Sequence, residues 1–221
     1  MENFIRAYWV EDTSLCDRLI DYHSQANTAP GRIYSTKPDV ESFGVIKEEV
    51  KKSTDCYVLP EDLIKPENKI LVELIDQVQK ASNQYCAEFP EAMKFGDLIM
   101  REPINIQYYK PGEAYYEYHT ERGINLKEPY ITNRLSDIFN RHLVWMLYLN
   151  DVFDEGGTEF KDQKIIATAR KGKILIWPAD WMHTHRGIAS PTEEKWIATG
   201  WIHIDGGYTD KFLKTENKTD E

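Results

Sequence analysis

A histidine and a carboxylate two residues apart, in His119-Thr120-Glu121, are the first groups in this chain whose spacing could do chemistry. On an extended strand positions i and i+2 project from the same face, so one metal ion can meet both side chains. The triplet also arises by chance as a solvent-facing pair, and a metal site needs a further ligand from elsewhere. His183 and His185 offer one, beyond a β-prone run that ends at Trp177-Pro178. Two imidazoles and one carboxylate on one face of an octahedral ion leave three adjacent positions open, the donor geometry that activates dioxygen at Fe(II). Ten residues after His185, Lys195 opens the apolar run Trp196 to Trp201. A cation pointing into an apolar interior requires an anion, and a dicarboxylate cosubstrate would supply it. That linkage favours His185 over His183 as the third ligand.

The elements that must position these groups have two textures. From about Ile104 onward the chain runs in short β-branched and aromatic pieces: Ile104 to Tyr109, Ala114 to His119, His142 to Asn150, Thr158 to Phe160, Ile165 to Ala169, Lys173 to Trp177 and Trp196 to His203. Turn signals separate them at Pro111-Gly112, Gly156-Gly157, Lys171-Gly172 and Gly206-Gly207, which predicts an antiparallel sandwich or jelly roll. Before them, apolar spacing predicts a helix capped by Asp12 or Thr13 and running to about Ser24, with Leu15, Leu19 and Ile20 on one face. A second helix is expected over Asn68 to Glu88, carrying Leu71, Leu74, Ile75, Val78 and Tyr85. Ala29 to Pro60 is turn-rich, with β-prone Phe43 to Ile46, and receives no function. The expected architecture is mainly β with α, a single domain over 1–221. It comprises a helical supporting region at 1–100, a double-stranded β-helix (jelly-roll) core at 101–205 and a polar tail at 206–221.

Taken jointly and in order, the pieces between Ile104 and His203 resemble the catalytic core of Fe(II)- and 2-oxoglutarate-dependent dioxygenases of the prolyl 4-hydroxylase type, including small microbial and phage-encoded members. They are Gln107-Tyr108-Tyr109-Lys110-Pro111-Gly112-Glu113-Ala114-Tyr115 leading into His119-Thr120-Glu121, Leu147-Tyr148-Leu149-Asn150-Asp151, and Glu155-Gly156-Gly157-Thr158-Glu159-Phe160. Lys171-Gly172-Lys173-Ile174-Leu175-Ile176-Trp177, His185-Arg186-Gly187 and Lys195-Trp196 complete the set. Two features depart from the family. Glu121 stands where Asp is usual, and one additional residue among Tyr115 to Tyr118 reads as a β-bulge or longer turn.

The resemblance implies that His119, Glu121 and His185 are the iron ligands and that Lys195 binds the distal carboxylate of 2-oxoglutarate, with Tyr109 and Tyr148 at positions that often hydrogen-bond it. Thr199 and Trp201 share the side-chain parity of Lys195 and are expected on the same pocket. It also implies Fe(II), 2-oxoglutarate and O2 as the reacting set, with ascorbate as a reductant. The substrate would be a peptide or an amino acid whose C–H bond becomes C–OH, with peptidyl proline favoured. Two other readings remain open at this point: a cupin-like metalloenzyme using His183 and His185, and a metal-free jelly-roll module that binds peptide or sugar.

Composition narrows the partners. With 37 Asp and Glu against 27 Lys and Arg, the formal charge of -10 repels polyanions, so neither nucleic acid nor an anionic membrane is an expected partner. Three cysteines without a C-x-x-C pair, Cys16, Cys56 and Cys86, suit a reducing compartment and packing as small hydrophobes. No signal-peptide pattern or long apolar run is present, so a cytoplasmic location is expected, and the oligomeric state is left open. His23, His142 and His203 are expected in structural or surface roles. Arg122, Arg134, Arg141 and Arg186 lie near the site in sequence, but nothing in the sequence ranks one above another.

Overall fold

A computed structural model describes residues 2–33, 44–94, 96–122, 138 and 140–205. The expected turn at Gly206-Gly207, the polar tail, Arg134 and Phe43 lie outside the described residues.

Eleven strands are described: β1 (Arg6–Trp9), β2 (Ala29–Pro30), β3 (Thr54–Val58), β4 (Asp97–Ile99), β5 (Ile104–Tyr109), β6 (Arg141–Tyr148), β7 (Thr158–Phe160), β8 (Ile165–Ala167), β9 (Lys173–Pro178), β10 (His185–Gly187) and β11 (Lys195–Asp205). Two α-helices, α1 (Ser14–Gln25) and α2 (Lys69–Glu88), accompany them. The large sheet runs β1-β9-β6-β11-β5-β3-β2, with β4 paired to the far end of β11. A small sheet runs β10-β7-β8, and among the described residues the strand pairs of both sheets are antiparallel. Together they form the double-stranded β-helix core with helices packed outside.

The period of two divides each central strand between two cores. On β6, Leu143, Trp145 and Leu147 pack with Leu15, Leu19, Leu71, Leu74 and Val78 of the helices. Val144, Met146 and Tyr148 point the other way, to the core shared with Phe160 of the small sheet. β9 divides likewise, with Ile174 and Ile176 outward and Leu175 and Trp177 inward. Burial on both faces explains why β6 reads as an almost continuous apolar run. On β5 the outward Ile104 and Ile106 join the helical core, while Asn105, Gln107 and Tyr109 line the interior cavity. On β11 the outward set is Trp196, Ala198 and Ile202, and Lys195, Ile197, Thr199 and Trp201 face the cavity. Gly200 completes the outward row because a Cβ there would stand 2.8 Å from the Trp145 ring.

The first hundred residues do more than supply helices. β1, β3 and β4 lie in that stretch and extend the large sheet on β9, β5 and β11. The run from Ala114 to His119 differs in the other direction, since it makes isolated bridges, Lys51↔Tyr115 and His119↔His185, in place of a strand. Regular pairing from His119↔His185 would set Glu117 against Gly187, yet the Gly187 amide donates to the Tyr115 carbonyl at 2.9 Å. The chain therefore bulges just before His119, within the expected stretch but by two residues where one was expected, with Glu121 in the turn that follows. The expected turns at Gly112, Gly156 and Gly172 all form with φ of +82°, +69° and +83°, a region that glycine enters without steric cost. Among the described residues no helix is long and apolar enough to cross a membrane.

Candidate active site

His119, Glu121 and His185 come together although the sequence separates the two histidines widely. The bridge His119↔His185, closed by amide-to-carbonyl bonds of 2.9 and 3.0 Å in the two directions, fixes both backbones. Their ligand atoms, with one carboxylate oxygen of Glu121, all lie within 4.8 Å of one another. Glu121 Oε1 is 3.6 Å from His119 Nε2 and 3.5 Å from His185 Nε2.

Each imidazole is oriented through its other nitrogen. His119 Nδ1 lies 3.1 Å from the Glu117 carbonyl and His185 Nδ1 lies 2.9 Å from the His183 carbonyl. A carbonyl only accepts, so Nδ1 carries the proton in both rings and Nε2 presents a lone pair to the common centre. Burial, then the neighbouring His185, holds His119 below its ordinary pKa, which keeps the ring neutral as a metal ligand requires. Tyr115 stacks flat on His119 at 3.7 Å between ring centroids, and Trp177 meets His185 edge-on at 5.1 Å. A first-row divalent ion about 2.1 Å from each donor would set donors at right angles about 3 Å apart. The two separations to Glu121, 3.6 and 3.5 Å, are close to that spacing, and two neutral imidazoles with a carboxylate are a donor set that suits such an ion.

His183 is placed elsewhere. Its Nδ1 lies 2.9 Å from Asp180 Oδ1 and its Nε2 lies 3.0 Å from the Asn3 carbonyl, so neither nitrogen faces the cluster. The cupin-like pairing of His183 with His185 loses its geometric basis. The remaining histidines serve the scaffold: His23 contacts the Thr54 carbonyl and His142 the Ala92 carbonyl, while His203 contacts Glu102. All three cysteines are buried and free.

The three candidate ligands border a cavity of about 440 Å³, which Lys195, Tyr109, Thr199 and Trp201 also line. Lys195 is 4% exposed. Its ammonium donates to the Ile188 carbonyl at 3.1 Å and lies 4.9 Å from the centre of the Tyr109 ring. No carboxylate pairs with it among the described residues. Burial alone pushes its pKa down to about 8, the mark of a cation lacking its anion.

Tyr148 was expected on the cosubstrate and is not brought there. It is fully buried outside the cavity wall, its hydroxyl 2.7 Å from Thr158 Oγ1 and donating to the Ala167 carbonyl at 3.1 Å. It supports the wall through Thr158, which does line the cavity. Tyr148→Phe should therefore cost about 1 kcal/mol of stability and leave the 2-oxoglutarate dissociation constant within about twofold. Calorimetry on the Mn(II)-loaded protein checks this, and a tenfold weakening would return Tyr148 to the ligand. The Thr199 hydroxyl donates to the Trp145 carbonyl at 2.8 Å, and the Trp201 indole N–H donates to Glu121 Oε2 at 2.9 Å.

Sequence reasoning did not rank Arg141 and passed over Glu102. Strand parity assigns Arg141 to the outward face with Leu143, but between Ile202↔Leu143 and His203↔Arg141 the register shifts by one residue of β6. That bulge turns Arg141 into the cavity wall, where it pairs with Glu102 and reaches Glu121 Oε2 at 3.5 Å. Arg122 donates to the Arg141 carbonyl, and Arg186 pairs with Glu159 at 2.7 Å.

The fold, and the segment that holds these residues, have counterparts among known proteins. Residues 104–203 match the family model of the 2OG-Fe(II) oxygenase superfamily. No curated protein sequence matches the chain. Among solved structures the chain is similar to a viral collagen prolyl hydroxylase from Paramecium Bursaria Chlorella virus-1 in its 2OG complex. That pair shares 18% identity over 91% of this chain and 97% of the other, with a TM-score of 0.60. A prolyl-4-hydroxylase of Pseudomonas putida is 16% identical over 91% of this chain and 93% of its own, at a TM-score of 0.59. A Trichoplax adhaerens prolyl hydroxylase in complex with a hypoxia inducible factor oxygen degradation domain peptide fragment is 12% identical over 98% and 88%, at 0.63. At these identities the structural likeness bears on the fold alone. Residues 104–203, the segment that holds His119, Glu121 and His185, are thus similar to the 2OG-Fe(II) oxygenase superfamily, whose chemistry uses Fe(II) and 2-oxoglutarate, and the fold around them is shared with prolyl hydroxylases.

Proposed function

We propose that the protein hydroxylates an unactivated C–H bond of a peptide, most specifically of a peptidyl proline, with another amino-acid side chain as the wider class. In the balanced reaction the substrate C–H becomes C–OH, and 2-oxoglutarate with dioxygen yields succinate and carbon dioxide. One observation carries the reading: three metal-ligand atoms converge on the same cavity as a buried ammonium that has no carboxylate partner among the described residues.

Bound Fe(II) supplies the activation of dioxygen. The chain's own residues then have separable tasks. His119 and His185 offer their Nε2 lone pairs and Glu121 its Oε1. Lys195 takes the far carboxylate of 2-oxoglutarate, beside Tyr109 and with Thr199 on the same wall. Met146, Trp177 and Ile197 also line the cavity and make part of its wall apolar. Tyr57, Asn105 and Gln107 form a polar flank suited to peptide amides. The peptide held by the Trichoplax relative also supports a peptide substrate.

The test is a peptide-library assay that scores succinate together with the gain of one oxygen atom on the peptide. Succinate coupled to hydroxylated proline is the expected result, and coupling to another side chain moves the reading to the wider class. Anaerobic addition of Fe(II) and 2-oxoglutarate should produce a weak visible charge-transfer band. If no band forms and peptide still binds, the metal-free binding module is the better description.

A further inference from the structure

The Glu121 carboxylate is not free to use both oxygens. Oε1 faces the two imidazoles, whereas Oε2 accepts the Trp201 indole N–H at 2.9 Å and an Arg141 N–H at 3.5 Å. Arg141 is itself immobilised. Its Nε donates to Glu102 Oε1 at 2.6 Å, a second N–H donates to Glu102 Oε2, and a third donates to the Glu121 carbonyl at 3.0 Å. The guanidinium lies 3.6 Å over the Trp201 ring, and His203 Nε2 holds Glu102 Oε1 from behind at 2.7 Å. Arg141 and His203 are both almost wholly buried.

A glutamate carries one methylene more than aspartate and can swing its carboxylate to chelate an ion through both oxygens. Chelation would take a second coordination position, one that the cosubstrate or dioxygen needs. We infer that Trp201 and Arg141 are positioning residues that capture Oε2 and so confine Glu121 to one-oxygen ligation, which is how this chain uses Glu where Asp is usual. The inference rests on the reading of Glu121 as a metal ligand. It also reassigns Trp201 from contact with 2-oxoglutarate to control of the ligand set.

The discriminating variant is Trp201→Phe, which deletes the indole N–H and keeps a ring beneath Arg141. Mn(II) affinity should stay within about twofold or tighten, while 2-oxoglutarate affinity for the Mn(II) protein falls by about ten- to a hundredfold, the range for a hydrogen bond to a charged group. A merely structural role would weaken both constants together. In a Glu121→Asp background, where the shorter side chain cannot span both partners, Trp201→Phe should have no further effect on 2-oxoglutarate. The wild type gives a second readout that does not depend on the variant folding. Its metal-induced infrared difference spectrum should show the wide splitting of carboxylate stretches that marks one-oxygen ligation, with the band assigned by Glu121→Asp. Unchanged constants in Trp201→Phe, a parallel loss of both, or a narrow chelate splitting in the wild type would each overturn the inference while leaving the proposed function standing. Failure of the wild type to bind Mn(II) at all would instead remove Glu121 as a ligand and the inference with it.

Discussion

His185→Ala should abolish both succinate formation and tight divalent-metal binding, whereas His183→Ala should leave the metal constant nearly unchanged. The two residues share a segment, and the difference lies in what their ring nitrogens meet. His185 spends Nδ1 on the His183 carbonyl and turns Nε2 toward Glu121 Oε1, 3.5 Å away. His183 spends both nitrogens, one at Asp180 and one at the Asn3 carbonyl. Loss of a group that merely orients a ligand weakens metal affinity by about 10- to 100-fold, so loss of a ligand should exceed about a hundredfold. For His183→Ala the expected effect is on stability, about 1 kcal/mol, because a buried ring and its contacts with Asp180 and the half-buried Asn3 carbonyl are lost. Mn(II) titration followed by electron paramagnetic resonance, beside thermal denaturation, separates these outcomes. Tight metal binding by His185→Ala together with its loss in His183→Ala would transfer the third ligand to His183.

Much of this site was legible because chemistry and spacing coincide in its sequence. β5 and β7 have the expected bounds, and α1 and α2 begin and end within two residues of expectation. In those segments the side-chain period alone specifies which face is buried. The strands of the first hundred residues were hidden for an opposite reason. β3, Thr-Asp-Cys-Tyr-Val, carries Asp55, a strand-disfavouring residue that becomes acceptable only once Lys51, Ser53, Tyr57 and Asn105 all donate to it. Glu102 and Arg141 escaped notice because their meeting depends on a one-residue bulge that reverses parity in β6, and a bulge leaves no mark in an apolar pattern. Tyr148 matched a family motif, yet its hydroxyl is consumed by Thr158 and Ala167. Motif position placed the residue on the right strand, and the hydrogen bonds determined its task.

Lys195→Ala should weaken 2-oxoglutarate binding by at least about two powers of ten while leaving Mn(II) affinity nearly intact. Its ammonium lies in the cavity wall with the Ile188 carbonyl and the Tyr109 ring beside it and no carboxylate among the described residues, so the free protein already bears the cost of desolvating a charge. A carboxylate arriving there completes a buried ion pair, and removing one member of such a pair costs roughly 3–5 kcal/mol. The same residue predicts a pH dependence of definite sign. Burial sets the free Lys195 at about 8, below its ordinary value, and a bound carboxylate raises it again. Binding therefore takes up a proton when pH exceeds about 8, with affinity complete below that value and declining above it. Between pH 7 and pH 9 the dissociation constant should rise roughly tenfold in the wild type. Lys195→Arg should bind more weakly than the wild type but without that rise, because a guanidinium keeps its charge and differs in shape. Calorimetry in buffers of different ionisation enthalpy measures the proton uptake directly. A dissociation constant in Lys195→Ala equal to that of the wild type, with proton uptake unchanged, would mean that the dicarboxylate is held by another cation on the cavity, and Arg32 would then be the next residue to replace.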